Sequence, residues 1–305
     1  MNGVSSAGTA SGDLPGDHDP QGSSAPPAPP RPGKGVRAGR NLPAAIGVGV
    51  IMGGLALLTL LTIKGTFLIY MGAALAIGLH EFDGALKTRD IRIPAIPVFL
   101  GGAAMLTSAY WAAGGAVTAA FALTLIAVLG WRLAGGAEGY VKDVTAALFA
   151  TAYLALPGAA VAAMLAPADG GKRVLTFVVL TVCSDIGGYV AGITLGRAGA
   201  HKMAPAISPK KTWEGLAGSA ITVVAAGVIM VPTLLHGYWW QGALVGLAAV
   251  AAAVLGDLAE SMIKRDLGIK DMGTLLPGHG GILDRLDSLL ICAPVVWLLL
   301  AAFVR

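Results

Sequence analysis

After residue 41 the chain is a series of apolar runs, most of them long enough to cross a bilayer, joined by short polar links. A span takes about 20 predominantly apolar residues. The runs lie near 42–63, 66–80, 92–111, 114–131, 144–166, 174–195, 216–235, 240–258 and 282–303, about nine in all. The second is short, which suggests a tilted or partly re-entrant segment. Backbone polar groups in lipid must be satisfied within the segment, so apolar runs of this length fold as helices. The expected fold is therefore all-α, a polytopic transmembrane helix bundle. Composition agrees: 55% of the 305 residues are hydrophobic and 12% charged, against about 25% charged in an ordinary soluble domain. So few charges cannot clothe a water-soluble globule of this size, and so apolar a chain is not disordered overall. The 44 glycines suit close helix approach in lipid.

Residues 1–40 have a different composition. Pro, Gly, Ser, Ala and Asp dominate, and the run PPAPPRP has no apolar period. The segment is expected to be a disordered tail, since it cannot bury enough apolar surface to order itself. No short apolar core precedes residue 42, so it does not resemble a signal peptide. It ends in Arg31, Lys34, Arg37 and Arg40, a basic stretch suited either to anionic headgroups or simply to stopping transfer. Residues 41–170 are expected to be scaffold helices and 171–305 a catalytic region with polar loops.

Charge placement orients the bundle. With the N-terminus in the cytoplasm, seventeen of the 21 Lys and Arg residues fall inside and only Lys64, Lys172, Arg173 and Arg305 outside. The net charge of +4 is then topological and gives no reason to expect a nucleic-acid partner. The two long polar loops, about 196–215 and 259–281, lie on the inner side. Cys183 and Cys292 sit inside apolar runs and read as buried thiols.

Acids embedded in spans mark function, because charge in lipid is expensive. They crowd into about the last 120 residues: Asp185 in the sixth run, Asp257 and Glu260 at the end of the eighth, Asp284 and Asp287 at the start of the ninth. The first five runs read as nearly free of embedded charge. On a helix, Asp257, Glu260, Ser261, Lys264 and Arg265 share one face. A Gly- and Pro-broken loop follows, and the chain re-enters at ILDRLDS with Asp284 and Asp287 on one face. Two helix ends thus bring Asp257, Asp284 and Asp287 together. Oxygen-only donors suit Mg²⁺ rather than Zn²⁺. Lys264, Arg265, Lys270 and His279 add cations and donors, and Gly278, Gly280 and Gly281 let backbone approach phosphates. This set fits phosphoryl or nucleotidyl transfer, in which the protein positions phosphates and neutralises charge. Interhelical salt bridging would account for one such pair but not for so many polar groups in so apolar a chain. His279 alone also reads as an ordinary loop histidine.

The other loop, His201 to Gly215, carries Lys202, Lys210 and Lys211. Ser208 and Pro209 suggest a turn, and Thr212 an N-cap for a helix opening at Trp213. Lysines beside a capped helix start make an anion site. Positive-inside topology, with Trp213 as an interfacial anchor, explains the same residues equally well.

Ser261 to Asp287, SMIKRDLGIKDMGTLLPGHGGILDRLD, resembles the signature of the bacterial-type phosphatidate cytidylyltransferase (CDP-diacylglycerol synthase) family. Its fixed positions are filled by Ser261, Lys264, Arg265, Lys270, Asp271, Gly273, Pro277, His279, Gly280, Gly281, Asp284, Arg285 and Asp287. SPKKTWEG, Ser208 to Gly215, is similar to a second stretch of that family. The resemblance covers roughly 180–290; the first half matches only as a hydrophobic bundle. The sixth run departs from the family pattern, reading Asp-Ile-Gly-Gly-Tyr at 185–189.

The resemblance implies that CTP and phosphatidic acid give CDP-diacylglycerol and pyrophosphate, with Mg²⁺ and room for a second cation at a paired site. It implies Asp257 and Asp284 as first metal ligands, with Asp287, Glu260 and Asp185 behind them. Lys264, Arg265, Lys270, Lys210 and Lys211 would bind phosphates, Arg285 would join them or brace the acids, and Ser208, Ser261 and His279 would donate hydrogen bonds. Asp257, Asp284, Lys264, Arg265 and His279 form the expected catalytic group. The expected partners are CTP, phosphatidic acid and the bilayer, with a homodimer admitted. The expected location is the inner (plasma) membrane, site facing the cytoplasm. A CTP-dependent polyprenol or lipid kinase and a secondary transporter are the competing classes.

Overall fold

The computed structural model describes residues 42–112, 115–196, 201–205, 207–276 and 280–304, with side chains from 47 onward except those of Pro209 and Lys210. The expectations for the 1–40 tail, Arg197, His279 and the Lys210 side chain lie outside the described residues. The helices are α1 (Leu42–Thr62), α2 (Lys64–Lys87), α3 (Ala95–Trp111), α4 (Ala116–Leu133), α5 (Tyr140–Ala150) and α6 (Leu156–Leu165). Then follow α7 (Gly170–Thr194), a hairpin of β1 (Lys202–Ala204) and β2 (Ser208–Thr212), α8 (Trp213–Leu235), α9 (Trp239–Leu267) and α10 (Leu283–Phe303). A π-helical turn, Thr151–Ala155, joins α5 to α6, so Tyr140–Leu165 runs as one 26-residue rod.

Each expected apolar run is a helix. Seven are long and apolar enough to cross a membrane, and the described part of α1 and α3 are shorter apolar helices. Large apolar side chains face outward along the bundle: Ile69 is 73% exposed, Leu123 65%, Ile221 70% and Ile229 61%. In water that surface would be unfavourable; in lipid it meets its own kind. The chain is a multi-pass membrane protein.

Two local expectations are corrected. The second span is neither short nor re-entrant: α2 is a continuous 24-residue helix. The apolar run ends at residue 80, yet the helix carries on to Lys87 and buries Glu81 and Asp83. Nor do Ser208 and Pro209 form a turn. Ser208 opens β2 and pairs with Ala204, so the reversal lies between those two residues. A two-stranded hairpin has only edge strands, where a proline without N–H is tolerated. Thr212 does cap α8, its hydroxyl accepting from Gly215 N at 3.1 Å.

Small residues set helix spacing. A Cβ on Gly242 of α9 would lie 2.0 Å from Gly227 O of α8, so these helices touch backbone to backbone. A Cβ on Gly256 would lie 2.5 Å from Asp287 O, which locks α9 against α10 beside the acids. Ser219 Oγ donates to Ser184 O at 2.6 Å, tying α8 to α7.

The connections place α2, α4, α7 and α9 ending, and α3, α5, α8 and α10 beginning, at one end of the bundle. Polar contacts secure that end. Arg89 donates to Asp266 O at 2.6 Å and Leu267 O at 3.2 Å, holding the last carbonyls of α9. Arg132 Nε lies 2.8 Å from Asp143 Oδ2. At the opposite end Arg173 pairs with Asp169 at 2.9 Å and donates to Val304 O at 3.1 Å. Cys292 is buried and Cys183 partly so, both as free thiols.

Candidate functional site

A polar cavity of about 370 Å³ opens where α7, the hairpin, α8, α9 and α10 meet. Asp185 and Tyr189 line it from α7, Ser208 and Lys211 from β2, Asp257 from α9 and Ser288 from α10. Helix periodicity put Asp257 on the α9 face that carries Glu260, Ser261 and Lys264; the hairpin adds the cation. Lys211 Nζ lies 2.7 Å from Asp257 Oδ2, and Ser261 Oγ donates to Asp257 Oδ1 at 3.3 Å. Asp185, Asp257 and Asp287 interact electrostatically, and Lys211 and Arg285 offset them at Asp185. Carboxylates, hydroxyls and a lysine thus line one cavity at the end of an apolar bundle. Arg265 stands at the rim, its Nε donating to Ile207 O at 2.5 Å and holding the hairpin over α9.

α9 runs on to Leu267 because nothing in DLAESMIKRDL breaks a helix. It stops at Gly268, which takes the left-handed conformation (φ 73°) while Ile269 N closes on Lys264 O at 2.9 Å. Lys264 then spans two acids: its Nζ lies 3.1 Å from Glu260 Oε1 and 3.0 Å from Asp284 Oδ1. Glu260 is fully buried, and beyond that ion-pair contact neither of its oxygens has a hydrogen bond among the described residues.

Asp284 sits differently from Asp257. Its carboxylate accepts from Met272 N at 2.9 Å and Gly281 N at 2.8 Å in addition to Lys264. It therefore pins both strands of the loop that precedes α10. Asp284 and Asp287 do not line the cavity, and Lys270 stands exposed on the loop outside it. Among the described residues no three His, Cys, Asp or Glu side chains converge as a metal-binding group. The acids thus divide into a cavity group, Asp185 and Asp257, and an inner group, Glu260, Asp284 and Asp287.

Glu81 was missed. This α2 carboxylate is buried, accepts from Ile282 N at 3.1 Å and Leu283 N at 2.9 Å, and so caps the start of α10. Gly273 and Gly281 pack directly on it; a Cβ on either would meet its carboxylate within 2.4 Å. The expectation of a nearly charge-free first half is therefore wrong, since Glu81, Asp83 and Asp143 are all buried charged residues. The signal lay in the HEFD tetrapeptide at the end of an apolar run, where an acid inside a helix has to find donors.

Fold and cavity define a polytopic membrane protein with a polar cavity at one end of its bundle. A family model described as the cytidylyltransferase family matches residues 43–303, and the chain belongs to that family. It is 39% identical to the phosphatidate cytidylyltransferase of Mycobacterium leprae over 282 residues, covering 87% of this chain and 89% of the relative. It is 38% identical to that of Mycobacterium bovis over 279 residues, covering 87% and 90%. A protein of Escherichia coli described as the uncharacterized protein YnbB is 41% identical over 176 residues, 56% of this chain and 58% of the relative.

Proposed function

We propose that the protein transfers the cytidylyl group of CTP to phosphatidate, yielding CDP-diacylglycerol and pyrophosphate, at the cytoplasmic face of the plasma membrane. The carrying observation is the full-length similarity to the mycobacterial phosphatidate cytidylyltransferases. The cavity supports it: Lys211, Asp257, Asp185 and Ser208 face one another at the bundle end where a soluble nucleotide and a headgroup can meet. The excess of Lys and Arg at that end supports a cytoplasmic orientation.

A phosphatidate oxygen attacks the α-phosphorus of CTP in line. The new P–O bond forms as the α–β bridging bond breaks, and pyrophosphate leaves with that electron pair. A phosphate monoester is already substantially ionised near pH 7, so no side chain has to act as base. Lys211 stands ready to exchange its bond to Asp257 for a phosphate oxygen, and the Ser208 hydroxyl sits on the same strand. Lys264 keeps Glu260 and Asp284 in place through its bridge. Arg265 holds the hairpin against α9.

Mg²⁺ belongs to the same proposal. The donors are all oxygen, and the buried Glu260 carboxylate, with two oxygens lacking hydrogen bonds, fits a cation partner. Asp257 and Asp185, the acids that line the cavity, would hold it, and Glu260, Asp284 and Asp287 would join only on a rearrangement that brings the inner group to them. A bound divalent cation would neutralise phosphate charge.

Purified protein given CTP labelled at the α-phosphate, phosphatidate and Mg²⁺ should form labelled CDP-lipid, and chelation should stop it. Label that reaches lipid only from the γ-phosphate would establish a lipid kinase instead. No labelled lipid from either position would refute both.

A further inference from the structure

A second cavity, apolar and about 410 Å³, lies on the other side of α10 from the polar one. α1, α2, α6, α7 and α10 line it. Small residues open it: Gly49 and Gly53, one turn apart on α1, and Gly158 on α6. α1 packs against α2 and, less extensively, α7, and Tyr70 of α2 donates to Met52 O at 3.2 Å. α1 is thus a loosely seated outer wall, with Val50, Ile51 and Leu58 turned to lipid.

One end of this cavity is charged. Arg285, in the first turn of α10, lines it together with Leu286 and Leu289. Arg285 also interacts electrostatically with Asp185, which lines the polar cavity. On α7 the face that carries Asp185 continues through Val182 and Val178 into the apolar cavity. The apolar groove therefore has an arginine at one end, on the turn of α10 whose other side faces the polar cavity through Ser288. Hydrocarbon followed by a guanidinium matches the build of a lipid phosphate, whose ester-linked tail is apolar and whose head is a dianion.

We propose that this groove between α1 and α10 holds an acyl chain of the phosphatidate substrate, with Arg285 at the end of the groove facing its phosphate. The proposal rests on the cytidylyl-transfer reading for the identity of the lipid. It assigns α1, which lies outside the residues carrying the family signature, the role of a wall that reads the tail.

Gly49 and Gly53 have no atoms within 4 Å of a built Cβ, so larger side chains there enter open space instead of backbone. Gly54 is equally open but does not line the groove, which makes it a matched control. Gly53→Phe, and independently Gly49→Phe, should lower the preference for dioleoyl over dihexanoyl phosphatidate about tenfold, the loss expected from displacing a few buried methylenes. Gly54→Phe should keep the wild-type preference. A phosphatidate carrying a diazirine in mid-chain should photolabel α1 and α10 peptides, and less so in the two groove variants.

Labelling confined to other helices, or a chain-length preference unmoved in both groove variants that fold, would overturn the groove. If the unaltered protein makes no CDP-lipid, the cytidylyl-transfer reading fails; the photolabel needs no turnover and still decides the groove.

Discussion

Lys211 Nζ, near the end of β2, lies 2.7 Å from Asp257 Oδ2 on α9. This contact joins a strand and a helix at residues 46 positions apart in the sequence. It makes one cavity out of a basic hairpin and an acidic helix end. Under the proposed reaction each partner would exchange the other for a phosphate or a cation.

Removing either charge should therefore hurt turnover more than folding. Asp257→Asn should reduce kcat by about 10²–10³, the loss typical of one electrostatic group at a reacting phosphate or carbonyl. Lys211→Ala should fall in the same range, and thermal unfolding in detergent should be nearly unchanged for both. Full activity in Asp257→Asn would remove the cavity from the mechanism.

Glu81 acts through backbone. Glu81→Ala leaves Ile282 N and Leu283 N without the acceptor they now share, a penalty of about 1–3 kcal/mol for each buried donor left unsatisfied. The midpoint of unfolding should drop, and amide exchange should rise at the start of α10. Glu81→Gln keeps an acceptor and should recover part of the stability. An unchanged exchange rate at Ile282 and Leu283 would contradict the capping role.

Lys264 serves two buried acids. Lys264→Met strands Glu260 and leaves Asp284 to its two backbone donors, and breaking a buried pair from one side typically costs about 3–5 kcal/mol. Adding Glu260→Gln should restore stability without restoring activity, because it removes a stranded charge but returns no cation. A double variant no more stable than the single one would show that Lys264 does not balance Glu260.

Backbone contact between α8 and α9 leaves no room for a side chain. Gly242→Val should prevent folding or lower stability by more than the ~1–3 kcal/mol usual for overpacking, since the obstacle is Gly227 O rather than a movable side chain. Gly54→Ala, facing open space, should be neutral. Monodisperse protein and unfolding midpoint in detergent measure both. A well-folded Gly242→Val would show that the two helices can separate cheaply.

Much of the fold was legible because its signals are local. A run of apolar residues must be a helix in lipid wherever it sits, and Thr212 before Trp213-Glu214-Gly215 caps whatever follows. The DLAESMIKR face was legible for the same reason: helical period alone aligns Asp257, Glu260 and Lys264. The α2 boundary was misread because polarity alone ends a span in a one-dimensional reading. In the bundle, His80 to Asp83 continue the helix because Glu81 takes donors from the start of α10 and Asp83 pairs with Lys87 one turn on.

The sequence by itself determined the helices, their alternation and which residues carry charge. Tertiary structure alone decided what each charge meets. Asp257 and Asp284 look alike in sequence, yet Asp257 opens into the cavity against Lys211 while Asp284 is taken up by two backbone amides and Lys264. Glu81 finds Leu283 N across 202 positions. Period and composition act over one or two helical turns, whereas a buried carboxylate is satisfied by whichever donor the packing of distant helices delivers.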